Sequence, residues 1–178
     1  MGRDRYIIHQ TEYPYFVTCN IVNGLPLFAY PHLAQIILEA LVYLQQENKA
    51  ILTAYVIMEN HLHLIVQSDQ AQKVLGSLKS YTARSIIESI KFHHQFHWLK
   101  LLQLSKRKYK RDQQYQVWES GLHPKQLMSD QSLFQKMEYI HQNPVRRGYV
   151  DRPEDWRYSS ARNYLGLENL IPVTLFGY

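Results

Sequence analysis

The sequence has a single cysteine, Cys19, among 178 residues. One thiol excludes an internal disulfide and any zinc site built on cysteines. No run of 18 or more apolar residues occurs, so no membrane-spanning helix is expected. The opening stretch "MGRDRYIIHQTEYPYF" lacks an apolar core followed by a small-residue cleavage site, which predicts a cytoplasmic protein without a secretory leader. No internal repeat occurs, and no linker is rich enough in Pro, Gly or Ser to split the chain. This predicts one domain over residues 1–178, with a basic, aromatic extension from about 150. Acidic residues are outnumbered, 15 against 20 Lys and Arg, giving a net charge of +5. That balance favours phosphate-rich partners without specifying one.

What is present is apolar and aromatic: 46% hydrophobic residues, enough for a packed core, and 14 tyrosines. Tyrosines beside basic residues can fill a core or stack on unpaired bases. "YPYFVTCNIVNG" reads as a β-branched, aromatic strand ending in an Asn23-Gly24 turn. After Pro31, apolar residues at Leu33, Ile36, Ile37, Ala40, Leu41 and Leu44 predict an amphipathic helix. "AILTAYVIM" and "HLHLIVQS" read as a hairpin of strands around Glu59-Asn60. "AQKVLGSLKSYTARSIIESIKFHHQF" reads as a long helix. Residues 98–116 read as a loop or exposed arm, and "QVWESGLHPKQLMS" as the place of a short edge strand. "SDQSLFQKMEYIHQNP" reads as a helix capped by Ser129 or Asp130 and ended by Asn143-Pro144. This order predicts an α+β fold: a ferredoxin-like antiparallel sheet with helices packed on one face and the histidines on an inner strand.

Two features carry chemistry. His61 and His63 alternate with Leu62 and Leu64, so in a strand both imidazoles share a face. Tyr139 and Asn143 stand four residues apart on a helix, so hydroxyl and carboxamide share a face too. Two imidazoles plus a carboxamide oxygen suit Mn²⁺, or Mg²⁺ where phosphate supplies further oxygens. Gln142 is the nearest substitute for Asn143 as third ligand. Tyrosine is a weak nucleophile at neutral pH, and an ion that polarises a phosphate makes attack on it easier.

Rival assignments follow other residues. Tyr81, on the long helix, is the fallback nucleophile, but position 85 supplies Ser rather than a carboxamide, and Tyr81 fits an apolar stripe with Leu78. His93 and His97 stand at helical spacing for a zinc hydrolase, yet the H-E-x-x-H pattern is absent because position 94 is His. Candidate phosphate contacts are Lys106, Arg107, Lys108, Lys110, Arg111, Arg146 and Arg147. Candidate stacking residues are Tyr109, Trp118, Trp156 and Tyr158.

"MENHLHLIV" resembles the histidine-hydrophobic-histidine (HUH) motif of the single-strand DNA tyrosine transposases. "YIHQNPVRRGYV" followed by "PEDWRYSSARNYLG" resembles the downstream signature of their REP-associated branch, the RAYT proteins. The resemblance runs from about Tyr13 to Gly166, with the motifs about 75 residues apart. It implies an HUH nuclease fold, with His61, His63 and Asn143 binding Mg²⁺ or Mn²⁺ and Tyr139 as nucleophile. The implied product is a 5′-phosphotyrosine on single-stranded DNA, with hairpin-forming repeats as partner and a monomer or homodimer as the acting species. Two departures stand out. Glu59 occupies a turn where the family usually has proline, and Ser105–Tyr115 does not align. The alternative is a domesticated nucleic-acid-binding protein without catalysis; the presence of all four chemical positions counts against it.

Overall fold

A computed structural model of the chain describes residues 12–107, 113–122 and 124–177. Lys108, Lys110, Arg111 and Tyr109 lie outside the described residues. The β-branched and aromatic run forms strand β1, Tyr15–Asn20, and helix α1 follows over Pro31–Gln46 with its proline in the first turn. Strands β2, Ile51–Ile57, and β3, His61–Gln67, form the expected hairpin. Helix α2 spans Ala71–Phe92, α3 Phe96–Leu104, and a two-residue strand β4 spans Lys125–Gln126. Helix α4 covers Asp130–Arg146 and α5 covers Ala161–Tyr164.

The strands form one antiparallel sheet in the order β2-β3-β1-β4, so the histidine strand is an inner one. This is the α+β, ferredoxin-like arrangement expected from the sequence. The expectation of helices on one face holds for α1 and α2, which pack against Val17, Cys19, Leu62, Leu64 and Val66. Helix α4 departs from it. Its Leu133 and Ile140 pack on Phe16, Ala54, Val56 and Ile65, the opposite face. The physical reason is that both faces of the inner strands are apolar, and each needs a cover.

Three further differences have local causes. Residues 96–104 form a helix rather than an arm, because Leu99 and Leu102 are buried at helical spacing against the core. Pro144 does not end α4. Proline removes one N–H from the last turn, a small loss there, and the helix runs on to Arg146. The stop is Gly148, at φ +72°, where Gly148 N–H donates to the Val145 carbonyl and Tyr149 N–H to that of Pro144. This pair of bonds is a Schellman motif, which needs a left-handed residue. The third difference is at the sheet edge. The Ile57 N–H donates to the Tyr158 carbonyl and the Ser160 N–H to that of Tyr55, so the segment after α4 covers the open side of β2.

Candidate active site

The register of β1 and β3 sets Asn20 opposite His61 and Thr18 opposite His63. Both imidazoles therefore project toward α4, in a layer with Phe16 and Thr18. Both are almost fully buried. Their ring centroids are 4.7 Å apart at an interplanar angle of 74°. Tyr139 reaches the same place from α4, its ring centroid 5.4 Å from that of His63 and 5.9 Å from that of Phe16. Asn143, buried one helical turn further along, lies close enough to the His61 side chain to favour its charged form. The two pairs read from the sequence thus converge. His61, His63 and Tyr139 line a cleft of about 460 Å³ together with Asn20, Asn60, Glu119 and Arg147.

The outer partners of the histidines determine which nitrogens can act. His61 Nδ1 lies 2.7 Å from Asn60 Oδ1, an atom that only accepts. Nδ1 therefore carries the proton, and Nε2 keeps its lone pair. His63 Nδ1 lies 2.9 Å from Thr18 Oγ1, which can take the same proton and leave that Nε2 free as well. Burial, the His61 charge, Lys136 and Arg147 push the His63 pKa down to about 3. For His61, burial and Arg147 lower the pKa, against the opposing pull of Glu59 and Asn143. Both imidazoles are thus neutral at physiological pH, the form that ligates metals.

These residues fit a divalent ion. A nitrogen about 2.1 Å from an ion sets its ring centroid about 3.3 Å away, so two rings ligating at right angles stand about 4.6 Å apart. The observed 4.7 Å matches that separation. Among the described residues, no group of three or more His, Cys, Asp or Glu could hold an ion. The carboxamide nearest the pair is that of Asn143, close enough to His61 to affect its titration.

The other candidates are sorted by position. Tyr81 does not belong to the apolar stripe. It is 52% exposed, on α2, which packs on the sheet face turned away from the histidines. His93 and His97 are not on one helix, because α2 ends at Phe92 and α3 begins at Phe96. Arg147 borders the cleft but pairs with Glu59, Nη1 to Oε1 2.8 Å. Arg146 lies over the Tyr139 ring, its Cζ 5.4 Å from the centroid. Arg107 pairs with the cleft residue Glu119 at 2.8 Å, and Lys106 lies beside it. Trp118 is buried and donates its N–H to Thr82 Oγ1, and Trp156 donates its N–H to the Ile57 carbonyl. Tyr158 packs against the core. Of these three, only Trp118 is buried away from a base; Trp156 and Tyr158 are half-buried.

Sequence reasoning missed Lys136. Its Nζ lies 4.9 Å from the Tyr139 ring centroid and 4.6 Å from that of Phe16. Burial and the nearby Lys125 lower its pKa. The signal was available as spacing, since position 136 precedes Tyr139 by three residues on one helix face. Thr18 and Asn60 carried no such signal, because their roles depend on strand register and turn geometry.

No family model matches the chain. A Haemophilus influenzae protein named as a REP-associated tyrosine transposase is 27% identical over 111 residues. That stretch is 60% of this chain and 56% of the relative, so the match spans little more than half the relative's length. A solved REP-associated tyrosine transposase, bound to a REP hairpin, superposes with a TM-score of 0.67 at 17% identity, over 99% of this chain and 96% of that one. A transposase-like protein from Deinococcus radiodurans gives a TM-score of 0.46 at 16% identity, over 80% of this chain and 97% of that one. The proteins that the chain resembles in these comparisons are transposases. Among them, the chain is similar in sequence and in fold to REP-associated tyrosine transposases. Among the described residues, no helix is long and apolar enough to cross a membrane.

Proposed function

We propose that this protein is a metal-dependent single-stranded DNA endonuclease and strand transferase acting on hairpin-forming repeats. The observation that carries this reading is the meeting of His61, His63 and Tyr139 in one cleft, with Asn143 beside His61. His61, His63 and Asn143 would hold Mg²⁺ or Mn²⁺, which when bound draws electron density from a phosphate oxygen and lowers the barrier to attack.

Tyr139 supplies the nucleophile. Its phenolic oxygen forms a bond to phosphorus, and the bond from phosphorus to the 3′-oxygen breaks. The phenol's proton passes to water in the cleft, and the departing oxygen takes one up as a 3′-OH. The 5′-phosphate stays on Tyr139, so the bond energy is kept and a 3′-OH can reverse the step without a nucleotide triphosphate. Lys136 and Arg146, over the tyrosine ring, hold the backbone phosphates beside it. Phe16 and His63 bracket the ring and restrict its approach.

The test is covalent capture. The protein is incubated with labelled single-stranded hairpins from repeats flanking its coding locus, with Mn²⁺ or Mg²⁺, and resolved on a denaturing gel. The expected result is a metal-dependent adduct that Tyr81→Phe retains and that Tyr139→Phe and His61→Ala lose. An adduct surviving in Tyr139→Phe would overturn the assignment of the nucleophile. Tight hairpin binding without any adduct would favour a binding protein that does not cleave.

A further inference from the structure

A basic pair stands beside Tyr139 but outside the cleft. Strand β4 is only two residues long, and its register sets Lys125 directly opposite Phe16 on β1. Opposed residues of an antiparallel pair point to the same face. The Lys125 side chain therefore leaves the sheet on the side of Phe16, the side that α4 covers. Lys136 comes to the same ring from α4, its Nζ 4.6 Å from the Phe16 centroid. Phe16 in turn stacks on His63, with centroids 5.3 Å apart, and meets Tyr139 edge-on at 5.9 Å. One aromatic ring thus links both lysines to the candidate nucleophile and to a candidate metal ligand.

The charges of this pair are not balanced within the chain. Among the described residues, neither lysine forms an ion pair with a carboxylate. The aromatic faces under Lys136 favour a cation. Burial, and then the charge of Lys125, work against it and lower its pKa. Two ammonium groups near enough to repel one another, one of them half-buried, are costly to hold together, and an anion between them removes that cost. Neither lysine lines the cleft where His61, His63 and Tyr139 meet. The phosphate under attack must lie in the cleft, within reach of the tyrosine oxygen. A phosphate at the lysine pair is then a different one along the strand.

We infer that Lys125 and Lys136 together hold one phosphate, the backbone phosphodiester of a nucleotide neighbouring the one attacked. The inference rests on the reading of the cleft as a DNA-cleaving site. Lysines take a phosphate as point charges and read no base, so the pair positions the strand rather than choosing its sequence. Strand β4 acquires a role here, because its pairing ties Lys125 to Phe16 and so to Tyr139. The single strand crosses the β4 edge beside the nucleophile.

The test removes one phosphate charge at a time. Hairpins with single-stranded flanks carry a neutral methylphosphonate at each flanking linkage in turn. Binding to the full chain is followed by fluorescence anisotropy in EDTA, which withholds the metal. The expected result is one linkage whose replacement weakens native binding about two- to fivefold, the range of a partly exposed charge pair. The same replacement should weaken Lys125→Gln and Lys136→Gln less, and leave the double variant unchanged. Lys125 is exposed, so its variant should fold normally, as circular dichroism would verify. A parallel arm titrates inorganic phosphate against the lysine side-chain resonances by NMR, with chloride at equal ionic strength as control. A linkage profile unaltered by Lys125→Gln would overturn the inference, and so would two lysines that answer to different linkages. If the hairpins did not bind at all, the DNA reading of the cleft would fail by itself. Phosphate-specific shifts at both lysines would then keep the pair as a site for free phosphate, and their absence would overturn it.

Discussion

Arg147 Nη1 lies 2.8 Å from Glu59 Oε1, joining the residue after α4 to the turn that launches the histidine strand. Arg147 lines the cleft, and the charges of the pair oppose one another in tuning His61. It also spends a cation that a DNA phosphate could use. Glu59 is the position where the resembled family usually has proline, so this restraint on Arg147 belongs to this chain.

Removing the carboxylate should release the arginine. Glu59→Gln is expected to strengthen single-stranded DNA binding and steepen its salt dependence. One added phosphate contact changes the slope of log K against log salt by about 0.7 on single strands. Fluorescence anisotropy across a salt series measures it. An unchanged slope would mean that Arg147 stays off the backbone even when free.

Lys136 makes the converse prediction. It stands over Phe16 and Tyr139 and pairs with no carboxylate among the described residues, so its charge can serve a phosphate near the tyrosine. Lys136→Ala should make the salt slope shallower by about 0.7 and slow adduct formation. Lys136→Arg should restore most of both. Loss of adduct with an unchanged slope would instead assign Lys136 to holding the tyrosine ring.

The pH dependence of folding follows from His141. Burial pushes its pKa down to about 4, and its Nε2 lies 2.9 Å from Ser160 Oγ, which also accepts from the Tyr55 N–H. An unfolded histidine titrates near 6.5. Between about pH 6.5 and 4 the unfolded chain binds the proton and the folded chain does not, so stability falls as pH falls through this window. The loss is about 1.4 kcal/mol per unit, and His63 acts in the same direction. Urea midpoints measured in EDTA should decline across that range, and His141→Gln should flatten the decline. A midpoint constant from pH 7 to 4 would show that His141 is not held neutral.

Much of the site was legible because two periodicities carried it. Alternation on β3 placed His61 and His63 together, and the helical repeat placed Tyr139 with Asn143. What the sequence left open was which layer faces which. Apolar residues on both faces of β2 and β3 predict two covers but do not say that α4 supplies the second. Local rules also misled where tertiary packing outweighed them. Pro144 sits in the last turn of α4, where a missing donor costs little, and Leu99 and Leu102 turn a basic-looking segment into a helix. The pairing of Lys125 with Phe16, far apart in sequence, had no local signal.

Thr18 offers the sharpest separation between stability and chemistry. Its hydroxyl lies 2.9 Å from His63 Nδ1, and this contact fixes which nitrogen faces the cleft. Thr18→Val keeps the shape and removes the oxygen. Two effects should follow, and they can be measured apart. In EDTA, the buried Nδ1–H loses its acceptor, which costs about 1–3 kcal/mol of stability by chemical denaturation. With Mn²⁺ added, affinity should fall about 10–100-fold, because an imidazole without its outer partner is less basic and less well oriented. Thr18→Ser, which retains the hydroxyl, should recover the affinity even where the lost methyl lowers stability. If Thr18→Val lowered stability and left Mn²⁺ affinity intact, the Thr18–His63 bond would serve packing alone, and the orientation of His63 would rest on the Phe16 and Tyr139 rings.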